Sequence, residues 1–347
     1  MKCIFCGKSA GLIKREHPEC RALAEEGKKY LRECIDYIYN NRDCMNISEV
    51  VSGTIAKYNI PQEMANDFLL ECWNDKVLVA FEDRIIDYDE IKILKEMLVE
   101  LNIDRNQLEG SEQWKRLKQY GKTFVFHIID TAVQNKAFSQ LQEHIDWIAD
   151  LYEFDNETIQ QFAFEYWKQF SDNALKKGIL AECDEYLIDH LSVLFNFDLS
   201  KDGYCEQNIK IVKGALLRDV TNGIIPHRIA NLSDLEFPIS FHKNETVIWP
   251  VKGQVPAYEE VIHHKNGIKN TEQRFLGNGK VVITNKNIYW VNSSQNRVIQ
   301  ANKIATVERY SDGITIIKNG VIARPLTLEL EDSNFYYKLF LNLKRIS

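Results

Sequence analysis

The sequence lacks any uncharged apolar run near the roughly 18–20 residues that a membrane-spanning helix needs. Its first residues, MKCIFCGKSAGLIKR, contain no long apolar stretch of the kind found in a signal peptide. Cysteine is scarce: 8 residues in 347 do not make a disulfide scaffold. Four of the eight (Cys34, Cys44, Cys72, Cys183) lie in segments patterned as amphipathic helices, where a free cysteine acts as a small hydrophobic residue. We therefore expect a reducing compartment and a cytoplasmic protein.

The short motifs that mark common enzymes are also missing. The sequence has no glycine-rich phosphate loop, no Gly-x-Ser-x-Gly and no His-Glu-x-x-His. It has no clustered set of His and Asp residues either. We therefore expect no catalytic residues, and a metal-dependent hydrolase or nuclease is the least favoured of three function classes.

Charge is distributed unevenly along the chain. Residues 1–44 carry a net charge of +2, residues 45–239 carry −15 and residues 240–347 carry +6, which together give −7. An acidic middle and a basic end are typical of separate domains that have different partners or that dock on each other. Together with the repeat described below, this pattern predicts four parts, 1–44, 45–135, 136–239 and 240–347.

Four residues near the N-terminus have the spacing of a zinc site. Cys3 and Cys6 form a Cys-x-x-Cys pair followed by Gly7, which lets the backbone turn without a Cβ clash. His17 and Cys20 are three residues apart at the start of a helical pattern, so both fall on one face. Four nitrogen and sulfur ligands complete a tetrahedral shell, which is the structural rather than the catalytic arrangement of zinc.

This site resembles treble-clef zinc fingers, in which a zinc knuckle and a short hairpin precede a helix that supplies the second ligand pair. The resemblance covers roughly residues 1–30 and implies one structural zinc ion. The module has few aromatic residues beside its basic ones, so we expect it to anchor its segment rather than bind nucleic acid. Two alternatives stay open: two coincidental cysteines beside a surface histidine, or a redox Cys-x-x-Cys, which would need a βαβ context that is absent here.

A helix should follow the zinc module. Over residues 21–43, apolar side chains recur at three-and-four spacing, which predicts one buried helix face. The side chains of this pattern are Leu23, Tyr30, Leu31, Cys34, Ile35 and Ile38.

Residues 45–200 contain an internal repeat. Glu49–Trp73 aligns with Glu143–Trp167 without a gap, and the match continues after a one-residue shift. The aligned pairs include Ile55 with Ala149, Tyr58 with Tyr152, Phe68 with Phe162, and Trp73 with Trp167. Both copies have helical periodicity, and a repeat of this length is too long for a solenoid unit, so we predict two related helical bundles. Trp73, Trp114, Trp147 and Trp167 are expected in their cores.

The phrase DRIIDYDEIKIL, echoed by GILAECDEYLI, resembles the tellurite-resistance TerB-like helical domain. In that family a turn of the type acidic-Gly-x-Ile-x-x-x-Glu joins two helices and carries acidic side chains, whereas Arg84 stands here where the family favours Gly. Four carboxylates in this loop (Asp83, Asp87, Asp89 and Glu90) could hold a divalent cation. The alternative is that Asp87 or Asp89 caps the helix starting near Glu90.

The hydrophobic period changes after about residue 240. Val281–Val291 alternates and turns at Asn285–Asn287, and Asp312-Gly313 and Asn319-Gly320 predict two-residue hairpin turns. A final amphipathic helix, capped by Asp332 or Ser333, has an apolar face of Phe335, Tyr336, Leu339, Phe340 and Leu343. The pattern predicts a small, strongly bent sheet closed by one helix.

This region resembles the pleckstrin-homology/GRAM-like superfold. The likeness spans roughly residues 240–347 and includes Glu245 before the first strand and the phrase Gly-x-Gly-x-hydrophobic-x-hydrophobic-Thr-Asn from Gly277 to Asn285. Some relatives bind phosphoinositides, which makes four basic residues candidate anion contacts: Lys265, Lys269, Arg274 and Lys280. The alternative is a solvated basic face with no ligand.

The fold class expected from these parts is multi-domain α+β: a small zinc module, duplicated all-α helical bundles, and a pleckstrin-like bent sheet capped by a helix. We expect a non-enzymatic adaptor or scaffold with a protein partner. By family analogy it would act in bacterial stress or phage response. The second class is a peripheral binder of anionic membranes that acts through residues 240–347.

Overall fold

The computed structural model describes residues 1–11, 15–41, 46–80, 88–102, 112–152, 154–201, 203–226, 241, 244–265, 268–320 and 324–347. They form two compact units, Met1–Tyr166 and Trp167–Ser347. Helices make up most of the chain up to Thr221, and an antiparallel sheet followed by a helix forms the C-terminal part. Across the described ranges, no helix combines the length and the apolar character needed to cross a membrane.

Ten α-helices lie in the described ranges. They are α1 Pro18–Asn41, α2 Ile47–Lys57, α3 Gln62–Ala80, α4 Tyr88–Glu100, α5 Glu112–Asn135, α6 Leu141–Tyr152, α7 Asn156–Ala174, α8 Glu182–Leu194, α9 Tyr204–Thr221 and α10 Ser333–Asn342. The strands are β1 Val247–Pro250, β2 Val255–Lys265, β3 Ile268–Thr284, β4 Asn287–Val291, β5 Asn296–Gln300, β6 Ile304–Arg309, β7 Gly313–Lys318 and β8 Leu326–Glu329.

Helix α1 buries a different stripe from the one that the sequence predicts. Its buried residues are Ala24, Gly27, Leu31, Ile35 and Tyr39, at three-and-four spacing. Leu31 and Ile35 were predicted on this face, but Leu23 and Tyr30 are exposed. Gly27 explains the shift, because a Cβ at this position would lie 2.5 Å from the Cβ of Tyr58. The helix approaches Tyr58, at the end of α2, through Gly27, and this packing turns Leu23 and Tyr30 outward.

The helices repeat at a fixed interval of 94 residues. Helices α2, α3 and α4 have 11, 19 and 13 residues, and α6, α7 and α8 have 12, 19 and 13. The indole Nε1 of Trp73 donates to the carbonyl of Leu94 at 2.9 Å, and that of Trp167 donates to Ile188 at 3.0 Å. Both acceptors lie 21 residues after the tryptophan. The predicted one-residue shift between the copies is therefore wrong at these helices.

The turn that follows the third helix of each repeat copy is also the same in both copies. Asn102 and Asn196 follow α4 and α8, and both have left-handed φ angles, 52° and 51°. Asparagine tolerates this conformation better than other side-chain-bearing residues, so the same residue ends both helices. Trp73 and Trp167 are buried as predicted, Trp147 is half-buried, and the side chain of Trp114 lies outside the described residues.

The C-terminal strands form a curled antiparallel sheet. Its order is β5-β4-β3-β2-β8-β7-β6, and β1 pairs with β3. The long strand β3 pairs with β2 along its first part and with β4 along its last part, with a bulge opposite Ala257 and Tyr258. Gly277 lies at this bulge with φ +108°. Gly279 is needed for space, because a Cβ there would lie 2.6 Å from Cε2 of Trp290.

A buried polar cluster explains why Thr and Asn end β3. The Glu245 carboxylate accepts hydrogen bonds from Thr284 Oγ1 at 2.5 Å, Asn287 Nδ2 at 2.7 Å and the Tyr289 hydroxyl at 2.8 Å. Asn285 exchanges two hydrogen bonds with the backbone of Thr246. Burial and the bond to Glu245 raise the pKa of Tyr289 to about 12. The cluster therefore holds the β3–β4 turn against the segment before β1.

Helix α10 closes the sheet as the sequence predicts. The five predicted apolar side chains are all buried in a core shared with the strands and with Leu216, Leu217 and Val220 of α9. Asp332 is the N-cap, and its side chain accepts from the N–H of Phe335. The turn at Asn285–Lys286 also agrees with the sequence. The predicted two-residue turn at Asp312-Gly313 is wrong, because three residues separate β6 from β7 and Gly313 begins β7.

Candidate metal centre

The structure brings together the four side chains that the sequence selects near the N-terminus. One ligand atom from each of Cys3, Cys6, His17 and Cys20 lies within 4.8 Å of all the others. Cys3 is buried, and the other three are half-buried. Within the described residues, no other group of three or more Cys, His, Asp or Glu side chains is arranged to hold a metal ion.

A short hairpin positions the first two cysteines. The backbone N–H of Cys3 donates to the carbonyl of Lys8 at 2.8 Å, and Gly7 donates to the carbonyl of Cys3 at 2.9 Å. An antiparallel bridge between Lys2 and Ser9 closes the loop. Gly7 has φ +70°, a conformation that glycine adopts without a Cβ penalty. The loop therefore turns both thiols toward one point.

The start of α1 positions the other two ligands. The carbonyl of His17 accepts from the N–H of Arg21, so His17 is the N-cap residue. Pro18 follows at the first helical position, where proline costs no hydrogen bond. Cys20 lies in the first turn, where the positive end of the helix dipole favours a thiolate.

Hydrogen bonding assigns the tautomer of His17. Its Nε2 lies 2.9 Å from the carbonyl oxygen of Ser9, so Nε2 carries the hydrogen and Nδ1 keeps a lone pair. Nδ1 lies 3.4 Å from Cys6 Sγ and 3.6 Å from Cys20 Sγ. Zinc bonds of about 2.3 Å to sulfur and 2.05 Å to nitrogen at the tetrahedral angle place those atoms about 3.6 Å apart. The observed spacing therefore fits a tetrahedral site.

The electrostatics of the site favour a bound cation. Burial opposes ionisation of Cys3, but backbone N–H groups of Cys6, His17 and Phe5 lower the pKa of its thiol to about 6. Burial and the neighbouring thiols, Cys6 first, raise the pKa of Cys20 to about 11. The hydrogen bond to Ser9 raises the pKa of His17. Without a cation the thiols therefore resist joint ionisation, and a divalent ion would remove that repulsion.

Searches against known proteins give no family assignment. No protein-family model matches the chain, and no curated protein matches it. The resemblances stated above therefore depend on the sequence motifs alone.

The backbones of the four candidate anion contacts are spread along the β2–β3 hairpin. The backbones of Lys265 and Lys269 lie at the tip of the β2–β3 hairpin, and their side chains lie outside what the structure describes. Lys280 is 11 residues further along β3 than Lys269, roughly 35 Å of extended strand. Arg274 lies between them and is exposed, with Nη2 3.4 Å from the carboxylate of Glu259.

An arginine cluster that the sequence does not reveal surrounds Glu259. Arg297 donates to both carboxylate oxygens at 3.2 Å, Arg274 lies at 3.4 Å and Arg324 at 3.6 Å. Burial alone would raise the pKa of Glu259, but the arginines, led by Arg297, hold it below its usual value. These residues come from β2, β3, β5 and the segment before β8, so their proximity depends on the curl of the sheet. Three guanidinium groups around one carboxylate leave excess positive charge.

The acidic turn of the first repeat is described only in part. Asp83 and Asp87 lie outside the described residues. Asp89 and Glu90 occupy the first turn of α4, where acidic side chains interact favourably with the helix dipole.

Proposed function

We propose that this protein is a non-enzymatic adaptor whose N-terminal helix binds a protein partner. The observation that carries the proposal is an exposed stripe on α1, formed by Leu23, Tyr30 and Tyr37. Their side chains are 38%, 47% and 69% exposed. Residues seven apart lie on one helix face about 10.5 Å from each other, so the stripe covers about 21 Å. Aromatic side chains on one exposed face are typical of protein interfaces.

The metal centre supports this role by fixing the start of α1. Three thiolates and one imidazole suit Zn²⁺, and four protein ligands leave no coordination position for water or substrate. A hydrolytic metal site needs such a position, so the centre favours a structural zinc ion over a hydrolase or nuclease. The stripe begins at Leu23, three residues after the ligand Cys20. The zinc ion would therefore hold the helix that displays the stripe.

The family-level proposals have separate support. The strand order and the terminal helix of the C-terminal part are compatible with a pleckstrin-homology/GRAM-like domain. The repeated helices are compatible with two TerB-like copies. Together with the reducing compartment indicated by the unpaired cysteines, they support a cytoplasmic adaptor in bacterial stress or phage response.

Quantitative co-purification from the native host tests the adaptor proposal. A tagged Leu23→Ser/Tyr37→Ser chain should lose at least one partner that the unmodified chain retains, because both changes remove apolar contact area. Tyr120→Ser is the matched control, since Tyr120 is 41% exposed on α5, outside the stripe. The proposal fails if the stripe variant and the control retain the same proteins as the unmodified chain.

The arginine cluster favours a second candidate, peripheral binding to anionic membranes. Arg274 and Arg324 have half-exposed side chains, 56% and 50%, which leaves donors available to a lipid phosphate. The full chain should then pellet with phosphatidylserine vesicles at low salt and not at high salt. Arg274→Gln/Arg324→Gln should abolish pelleting, while the control Lys303→Gln, which changes an exposed lysine outside the arginine cluster, should retain it. No pelleting of the unmodified chain at low salt would remove this candidate.

A further inference from the structure

A cavity of about 290 Å³ lies within the unit Trp167–Ser347, between the end of α7, one face of α9 and the first turns of α10. Its apolar wall includes Leu175, Leu217 and Phe335. Three lysines line it: Lys210, Lys213 and Lys338. An apolar wall with a few convergent polar groups is the usual composition of a small-molecule site.

Two of the three lysines are already paired with aspartates that line the same cavity. Lys213 bonds to Asp332 at 2.6 Å, and its ammonium lies 4.9 Å from the centre of the Phe335 ring. Its side chain is only 20% exposed, so the charge is held in place rather than free in solvent. Lys210 lies 3.9 Å from Asp172. Each pair is electrically neutral and keeps unused ammonium donors.

Lys338 supplies the excess charge. Its ammonium donates to the backbone carbonyl of Lys177 at 3.3 Å, and within the described part of the chain no carboxylate pairs with it. Gly178 next to that carbonyl makes room for it, because a Cβ there would lie 2.9 Å from Nζ. The cavity therefore has a net charge of +1 and three sets of ammonium donors.

We propose that this cavity binds a small organic phosphate, with the phosphoryl group at Lys338 and Lys210 and the organic part against the half-buried Leu175. Compact ammonium groups bind a phosphoryl group as point charges from several directions. The volume suits a ligand with one ring. The site is separate from the metal centre and from the arginine cluster.

Calorimetric titration of the full chain tests the site with two probes, phenyl phosphate and inorganic phosphate, at constant ionic strength. Phenyl phosphate should bind saturably and at least threefold more tightly than inorganic phosphate, because only its ring contacts the apolar wall. Lys338→Met should raise the dissociation constant of phenyl phosphate at least tenfold. Lys303→Met, a change of an exposed lysine that does not line the cavity, should alter the affinity less than twofold.

Two results would overturn the proposal. One is the absence of saturable binding of phenyl phosphate up to about 10 mM. The other is unchanged affinity in the Lys338→Met chain. If that chain fails to fold, Lys210→Met replaces it, since the Lys210 side chain is 57% exposed and contributes little to packing. Unchanged affinity in Lys210→Met would then reject the site equally.

Discussion

A single imidazole ring joins the two halves of the metal centre. Through Nε2, His17 holds the carbonyl of Ser9 in the hairpin, and through Nδ1 it faces the thiols of Cys6 and Cys20. Its own carbonyl accepts the first hydrogen bond of α1. A glutamine at this position could keep the bond to Ser9 but would remove the metal-binding nitrogen. The histidine is therefore needed for its two different ring nitrogens.

At this scale we expect about one zinc ion per chain after extensive dialysis. Cys20→Ser should reduce the zinc content to less than about a third of an ion per chain, because three ligands and a neutral hydroxyl bind zinc far more weakly than the complete set of four ligands. Atomic emission spectrometry measures the content. Cys183→Ser is the control, since this exposed cysteine lies outside the cluster, and it should retain a full equivalent. A metal-poor unmodified chain would contradict the assignment.

The metal ligands could be predicted from the sequence, and the other charged clusters could not. Cys3 and Cys6, like His17 and Cys20, are close along the chain, so local backbone geometry alone brings each pair together. Arg297 and Glu259 are 38 residues apart, and Lys213 and Asp332 are 119 apart. Such contacts depend on how strands and helices pack, which a single sequence does not encode in any short spacing.

At the scale of elements, periodicity predicted helices more reliably than it predicted their buried faces. The face of α10 agrees fully with its pattern, because five large apolar residues define it and no small residue competes. On α1, Gly27 permits close approach of Tyr58, and this packing rotates Leu23 and Tyr30 into solvent. Glycine contributes nothing to an apolar pattern, so the sequence gives no warning of this contact.

The repeated tryptophans provide the test at this scale. Trp73→Phe and Trp167→Phe should each lower the free energy of unfolding by about 1–3 kcal/mol, since each loses a buried N–H···O bond and leaves a small cavity. Chemical denaturation followed by circular dichroism measures both. Trp147→Phe changes a half-buried residue and should therefore lower the free energy of unfolding by less. If only one of the two buried variants is destabilised, the environments are not equivalent.

At the scale of the whole molecule, the metal centre and the packing of α1 stabilise different segments. Chelation should raise amide exchange strongly over residues 2–11 and 15–20, because these residues have little buried apolar surface besides Cys3. Residues 24–39 should keep most of their protection, since Ala24, Leu31 and Ile35 stay packed. Hydrogen–deuterium exchange with and without a zinc chelator measures this. If chelation instead removed protection from exchange throughout the chain, the metal centre would stabilise far more than the N-terminal segment.

The pairing of β2 with β8 has a consequence for biosynthesis. Ala257 of β2 pairs with Leu328 of β8, about 70 residues later, whereas each tryptophan bond of the repeat closes within 21 residues. During translation, the helices can therefore form their contacts soon after they emerge, but the curled sheet must wait until β8 has been synthesised. Until β8 has been synthesised, the edge of β2 that pairs with β8 stays unpaired. An exposed strand edge can pair with other chains, so a slow folding step or a need for a chaperone would arise at β2.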